Sequence, residues 1–305
     1  MRSWLFLFSC NLMWALQFTC IKLVQDQVGS LFTVWGPMTL ATLMLYPLIR
    51  SEKQKDHKKA ERSKKDVLVF FLLALLGVLP GQVFITWGTR MSLASNAALL
   101  MLTLPISTAL LAFVFLGERM TWVRWVSFGV AITGVILCSD IDFRSLDLGA
   151  GYLAGNTLMF FGTLGSAFYN SYGKKMLQRY SPMEMLFFTY AAMFVIMTPL
   201  VVIKEGQVFT HIPGFTLQTW TGLILLTCFH NYLSMVLFLK ALKQLDAIQA
   251  ALSNYLIAFL GVPIAAIWLG EKLTLLAIFG GIMILGSTLL ITLWEDKRGP
   301  GALKA

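Results

Sequence analysis

The sequence predicts an all-α integral membrane protein whose ten transmembrane helices form two inverted five-helix repeats. Three observations predict it: ten apolar stretches of bilayer length, basic residues that favour alternate loops, and a middle segment that returns in the last third. At a constant offset of 153, residues 94–121 match residues 247–274 at Ala94/Ala247, Ala97/Ala250, Ala98/Ala251, Leu99/Leu252, Leu116/Leu269, Gly117/Gly270, Glu118/Glu271 and Thr121/Thr274. A repeat of this kind sets the architecture before any local feature does.

The chain is 57% apolar and only 13% charged, about half the charge of an ordinary soluble domain. Spanning a hydrocarbon core takes ~20 mostly apolar residues per helix. Span one, near 4–24, follows Arg2 and resembles a signal peptide. It is longer than a typical apolar signal region and ends without a small-residue cleavage site, so it reads as a retained helix. Spans two (31–49) and three (67–87) flank the hydrophilic loop at 50–66. Spans four (93–115) and five (122–139) close the first half. Spans six (152–173), seven (183–203), eight (220–240), nine (247–269) and ten (274–294) follow. Pro37, Pro80, Pro105, Pro199 and Pro263 fall within spans, where each frees a carbonyl that neighbours or a wet cavity must satisfy. Gly77-x-x-x-Gly81 and Gly151-x-x-x-Gly155 have the spacing that lets helices approach closely. The four cysteines lie inside spans with no CxxC spacing and no histidine expected at ligand distance, which reads as buried free thiols.

The net charge of +9 is a topology signal and does not point to nucleic acid. Lysine and arginine concentrate in short cytoplasmic loops. With the N-terminus inside, 19 of the 24 basic residues fall on that side, and Lys22, Arg90, Arg144, Lys204 and Lys272 fall outside. Both termini are therefore expected in the cytoplasm of a multi-pass protein of the cytoplasmic (inner) membrane. The natural midpoint is the acidic, glycine-ended stretch at 139–151, giving a first unit over 1–147 and a second over 148–305. Five spans per unit is odd, so the second unit enters from the opposite face. Inverted repeats of this kind place a substrate site near the midplane, between the halves. The earlier spans align at an offset of 152, with Ala15 on Ala167 and Lys22 on Lys174.

In each unit a small-residue helix runs into a Leu-Gly-Glu-basic turn, Leu116–Met120 and Leu269–Leu273. With Trp14-Ala15, Phe128-Gly129 and Phe279-Gly280, this pattern resembles the EamA family of the drug/metabolite transporter superfamily, over nearly the whole chain. The resemblance implies a metabolite transporter and leans toward export. Family members often carry an arginine early in span two, where Val34-Trp35-Gly36-Pro37 has none. The turns also have a plain structural reading. Gly117 and Gly270 suit a left-handed helix stop, Thr121 and Thr274 suit caps, and Glu118 and Glu271 suit a nearby helix N-terminus.

Candidate cavity residues form polar stripes on apolar helices. Span six offers Asn156, Thr163, Ser166 and Asn170, with Tyr169 beside them. Span four offers Asn96, Thr103 and Ser107, span nine Gln249 and Ser253, and span one Asn11, Trp14 and Phe18. Unpaired polar groups are costly in hydrocarbon, so the stripes should face the bundle interior, as interhelical hydrogen bonds or as a solute cavity. His230, beside Tyr232 in span eight, is the one ionisable side chain expected near the midplane. It is a candidate for substrate binding or proton coupling, against a neutral hydrogen-bonding role. Lys22 and Lys174 sit near span ends, where snorkelling is the simpler reading. The expected cavity is walled by spans one, three, four, six, eight and nine, with five and ten peripheral.

The leading functional reading is a gradient-driven secondary transporter of a small organic solute, such as an amino acid or similar amphipathic or aromatic metabolite. No GxxxxGK[ST] motif is present to couple ATP, and no midplane cluster of Arg or Lys suits a phosphorylated solute. A membrane-embedded enzyme is the alternative from another class, but HExxH, GxSxG and an intramembrane Asp pair are all missing from the sequence. A channel or structural membrane protein is the third. No cofactor or metal is expected. The expected partners are the lipid bilayer, a small-molecule substrate and a coupling proton, without nucleic acid; monomer and homodimer both remain open.

Overall fold

The computed structural model describes residues 2–55, 64–91, 100–138, 152–257, 259–260 and 275–296. Their regular structure is helical throughout. In chain order the longer helices are α1 (Arg2–Val24), α2 (Ser30–Lys55), α3 (64–90), α4 (Thr103–Leu116), α5 (Trp122–Cys138), α6 (Leu153–Met176), α7 (Pro182–Glu205), α8 (217–244), α9 (Ala247–Ser253) and α10 (Leu275–Asp296), with short helical turns at Val208–His211 and Ile212–Gly214 between α7 and α8. The stretches 30–51 of α2, 65–88 of α3, 182–205 of α7 and 217–244 of α8 are long and apolar enough to cross a membrane, and residues 103–116, 122–137 and 278–291 form shorter apolar helices. Large apolar side chains such as Leu43, Val67, Phe113, Trp125, Ile203 and Ile282 lie exposed on the outside. A bilayer, not water, is the solvent that suits such a surface.

Local chemistry sets the helix ends. Gly117 adopts φ 69° and stops α4, the left-handed stop expected of that turn. Thr121 then accepts from the Arg124 amide at 3.3 Å and caps α5. Ser181 and Glu184 form a reciprocal capping box at the start of α7, and Asp246 with Gln249 forms another at α9. Thr216 caps α8 through the Thr219 amide. Gly270, Glu271 and Thr274, the second copy of the turn, lie outside the described residues.

The packing brings α3 and α6 into contact along a seam of small residues. A Cβ on Gly165 would stand 2.9 Å from the Leu76 carbonyl oxygen, and one on Gly155 3.0 Å from that of Gly88. Close approach of this kind drives helix association where hydrocarbon offers no hydrophobic force. α1 packs on α8, α2 on α7 and α8, and α4 on α6 and α9, while α5 and α10 pack chiefly on each other. The buried core draws on every one of these helices, with α9 buried along its whole length.

Two helices are not plain α-helices. α3 is π-helical over Leu73–Val78 and Pro80–Phe84, and α8 over Leu226–Ser234. Wider π turns leave carbonyls misaligned with the usual donors, and π segments concentrate at functional sites. In α8, side chains take up the displaced bonds. Asn231 Nδ2 donates to the Leu226 carbonyl at 2.9 Å, Ser234 Oγ donates to the His230 carbonyl, and the Tyr190 hydroxyl donates to the Asn231 carbonyl at 3.1 Å.

Candidate functional site

The π segments of α3 and α8 face each other across a narrow cleft. Gln17 and Ile21 of α1, Thr33 and Val34 of α2, Gln82 and Thr86 of α3, and Leu226, His230 and Asn231 of α8 line it. Three of the four helices contribute residues one turn apart: Gln17 and Ile21, Gln82 and Thr86, and Leu226 and His230 are each four apart, on one face. Pro37 lacks an N–H, so the carbonyl of Thr33 loses its i+4 donor beside the cleft. Among the described residues the lining holds three carboxamides, two hydroxyls and an imidazole, with no carboxylate, lysine or arginine. The cleft has room for about one water, so it is too narrow for a solute as it stands.

His230 is buried and its Nδ1 has no hydrogen-bond partner. Two other candidates sit close to the cleft in the chain. Trp14, one helical turn before Gln17, donates Nε1 to Ser234 Oγ at 3.0 Å and packs on Phe238. Asn11 donates Nδ2 to the carbonyl and Oγ of Ser253 at 2.9 and 3.2 Å, tying α1 to α9, and its Oδ1 is buried without a partner.

The remaining candidates lie elsewhere. The α6 stripe is engaged in helix packing: Thr163 donates to its own Met159 carbonyl, and Ser166 lies against Gly81 of α3. Tyr169 packs on Gly77, with its buried hydroxyl near Thr189 of α7. Asn156 and Asn170 are buried on the same helix. Thr103 donates to the Leu100 carbonyl, and Gln249 accepts from the Asp246 amide as part of the α9 cap. Ser107 and Tyr232 are half-buried on α4 and α8. Asn96 and the side chain of Phe18 lie outside the described residues. Of the sequence candidates among the described residues, only His230 lines the cleft. Gln17, Thr33, Gln82 and Thr86 line it as well, and α2 contributes to this wall where α4, α6 and α9 do not. The available signal was the i, i+4 pair Gln82 and Thr86, which is short and easily passed over.

Lys174 does not snorkel. Its Nζ lies 3.2 Å from Glu118 Oε1 and 3.7 Å from Asp246 Oδ1, and it donates to the Leu245 carbonyl. Glu118 does serve a helix N-terminus, but that of α9: it accepts from the amides of Ala247 and Ile248 at 2.9 and 3.1 Å. Fully buried Arg124 pairs with Asp246 at 2.5 Å and donates to the Arg119 carbonyl. Among the described residues no group of three or more metal-ligating side chains occurs.

The EamA-like transporter family matches this chain twice, over residues 1–139 and 153–293. The chain belongs to that family. It is 25% identical over 284 residues, 91% of this chain and 89% of the relative, to a "Probable terminal-alkyne amino-acid exporter" of Streptantibioticus cattleyicolor. An uncharacterized transporter of Archaeoglobus fulgidus is 24% identical over 95% of this chain and 99% of its own length. An S-adenosylmethionine uptake transporter of Rickettsia bellii is 25% identical over 71% and 70%. A solved crystal structure shares the fold, with a TM-score of 0.77 and 12% identity over 97% of this chain and 98% of its own. This EamA-like chain is thus a multi-pass membrane protein of a transporter family, whose partners are the bilayer and a small molecule.

Proposed function

We propose that this EamA-like protein is a gradient-driven exporter of a small zwitterionic or neutral amphipathic solute of the amino-acid kind, acting by alternating access around the α1–α2–α3–α8 cleft. In this reading ten helices form two inverted five-helix units, 1–147 and 148–305, in the cytoplasmic membrane, with both termini inside. The observation that carries the reading is an uncharged polar cleft, walled by Gln17, Thr33, Gln82, Thr86, His230 and Asn231, within an apolar bundle. Carboxamides and hydroxyls both donate and accept, so they suit the ammonium and carboxylate of a zwitterion without a fixed charge. Ile21, Val34 and Leu226 supply apolar wall for its side chain. Among the described residues the cleft carries no arginine or lysine, so a phosphorylated solute finds no bidentate partner there. The name of the Streptantibioticus relative supports an amino-acid solute and export.

The test is solute flux in proteoliposomes across a panel of amino acids, nucleosides and sugar phosphates, with and without an imposed proton gradient. The reading expects amino-acid flux that the gradient accelerates. Flux of sugar phosphates alone, or no flux of any solute, would sink it.

A further inference from the structure

We propose that Glu118 and Glu205 are reciprocal clasps, one at each end of the bundle, that open in alternation during the transport cycle. Each carboxylate stands at the C-terminal end of one helix and docks on the first amides of another. Glu118, just beyond α4, accepts from Ala247 and Ile248 at the start of α9, at 2.9 and 3.1 Å. Glu205, the last residue of α7, accepts from Leu31 and Phe32 at the start of α2, at 3.0 and 2.8 Å. The first amides of a helix have no intrahelical acceptor and carry its positive dipole end, so a carboxylate is a strong and directional partner there.

Both clasps join the two family-matched segments, in opposite senses. Glu118 belongs to residues 1–139 and grips a helix of 153–293, whereas Glu205 belongs to 153–293 and grips a helix of 1–139. They also sit at opposite ends. α7 begins beside Tyr180, which donates to Asp66 at 2.9 Å and accepts from Lys243, at the end rich in basic residues. α7 then runs 24 residues before reaching Glu205, a rise of about 36 Å. With both clasps made, the cleft has room for about one water.

The chemistry around each clasp suits repeated opening. At the basic end the charges balance: Glu118 and Arg124 come from the first segment, Lys174 and Asp246 from the second. The Glu118–Lys174 and Arg124–Asp246 contacts both cross the divide. Separation leaves each side with one acid and one base, and Lys174 already stands 3.7 Å from Asp246 within its own segment. No net charge is stranded on either side, which is the costly outcome when a buried pair breaks. At the other end Gly29 makes the room. A Cβ there would collide with the Glu205 carboxyl group, so the clasp depends on a position with no side chain.

The inference rests on the alternating-access reading above, but its test needs no solute. Thr86→Cys, in a chain with Cys10, Cys20, Cys138 and Cys228 replaced by alanine, serves as the cleft reporter. Its labelling by a membrane-impermeant maleimide is timed from each face of vesicles. An open state that is a minor species of about 10% or less leaves room for a large change. Glu118→Ala should raise labelling from the basic-end face about fivefold and lower it from the other. Glu205→Ala and Gly29→Ala should do the reverse. A variant that raises labelling from both faces has merely loosened the fold and overturns the proposal, as does labelling unchanged from either face. The alternating-access reading is scored separately by flux of the unsubstituted chain. Flux without opposite labelling shifts removes the clasps and keeps the transporter; opposite shifts without flux do the converse.

Discussion

Under the proposed transport cycle, Gln82 is expected to serve recognition in the cleft and His230 the response to pH. Gln82 stands in a π segment of α3 with Thr86 one turn on, and both face the space that His230 and Asn231 border from α8. Gln82→Leu keeps the bulk of the side chain and removes its donor and acceptor. Loss of one solute hydrogen bond amounts to about 1–1.5 kcal/mol, so the KM for flux should rise about tenfold with protein yield unchanged. An unaltered concentration dependence would place the solute elsewhere. His230 is the one cleft residue whose ordinary titration lies near neutral pH. Among the described residues no other titratable side chain lines the cleft with it. His230→Gln retains hydrogen bonding but cannot change charge, so it should flatten the pH profile of flux more than it lowers the maximum rate. A variant profile that overlays the parent's would leave His230 with a hydrogen-bonding role only.

At the scale of elements, the irregular helices are held by partners on other helices. The displaced Asn231 carbonyl of α8 depends on the Tyr190 hydroxyl of α7, and Trp14 of α1 reaches the same turn through Ser234. Tyr190→Phe removes one such bond while keeping the ring. Interhelical bonds of this kind in membranes average about 0.6 kcal/mol, so unfolding in detergent should shift only slightly. Transport should fall further than that loss of stability explains, because the freed carbonyl lets the π segment relax toward a regular α-turn and re-aims His230. Equal, small effects on both would mean that the segment keeps its shape unaided. The α3–α6 seam behaves differently. Gly165→Leu forces a branched side chain where even a Cβ would stand 2.8 Å from Pro80 Cβ. Overpacking in a closed interface costs about 1–3 kcal/mol or more, so the yield of folded protein should drop. Normal yield would show that the two helices do not need their close approach.

For the whole molecule, the sequence is informative where the physics is repetitive and silent where it depends on distant partners. Apolar runs, the Gly117 stop and the close approach of Gly77, Gly81 and Gly155 to their neighbours all follow from local composition and spacing. The π segments do not, because an i→i+5 turn leaves no propensity signature, and its displaced carbonyls are satisfied by residues such as Tyr190 on another helix. Lys174 looked like a snorkelling lysine because Glu118 and Asp246 become its neighbours only after α4, α6 and α9 pack. Gln17 and Thr33 were overlooked for the same reason: single polar residues on separate helices form a wall only when the helices cross. The arrangement of these helices across the bilayer is the largest inference, and the basic residues carry it. Placing 19 of 24 lysines and arginines on one side requires the 50–66 loop and both termini to share a face, with the 204–219 loop opposite. Single cysteines at Ser63 and Gln207, in a background stripped of the four natural ones, should therefore react with an impermeant reagent from opposite faces of sealed vesicles. Reaction of both from the same face would remove the inverted relation between the two family-matched segments. It would also remove the opposite-ended action of Glu118 and Glu205 as gates, because the path along α3 to α7 would then cross the bilayer an even number of times.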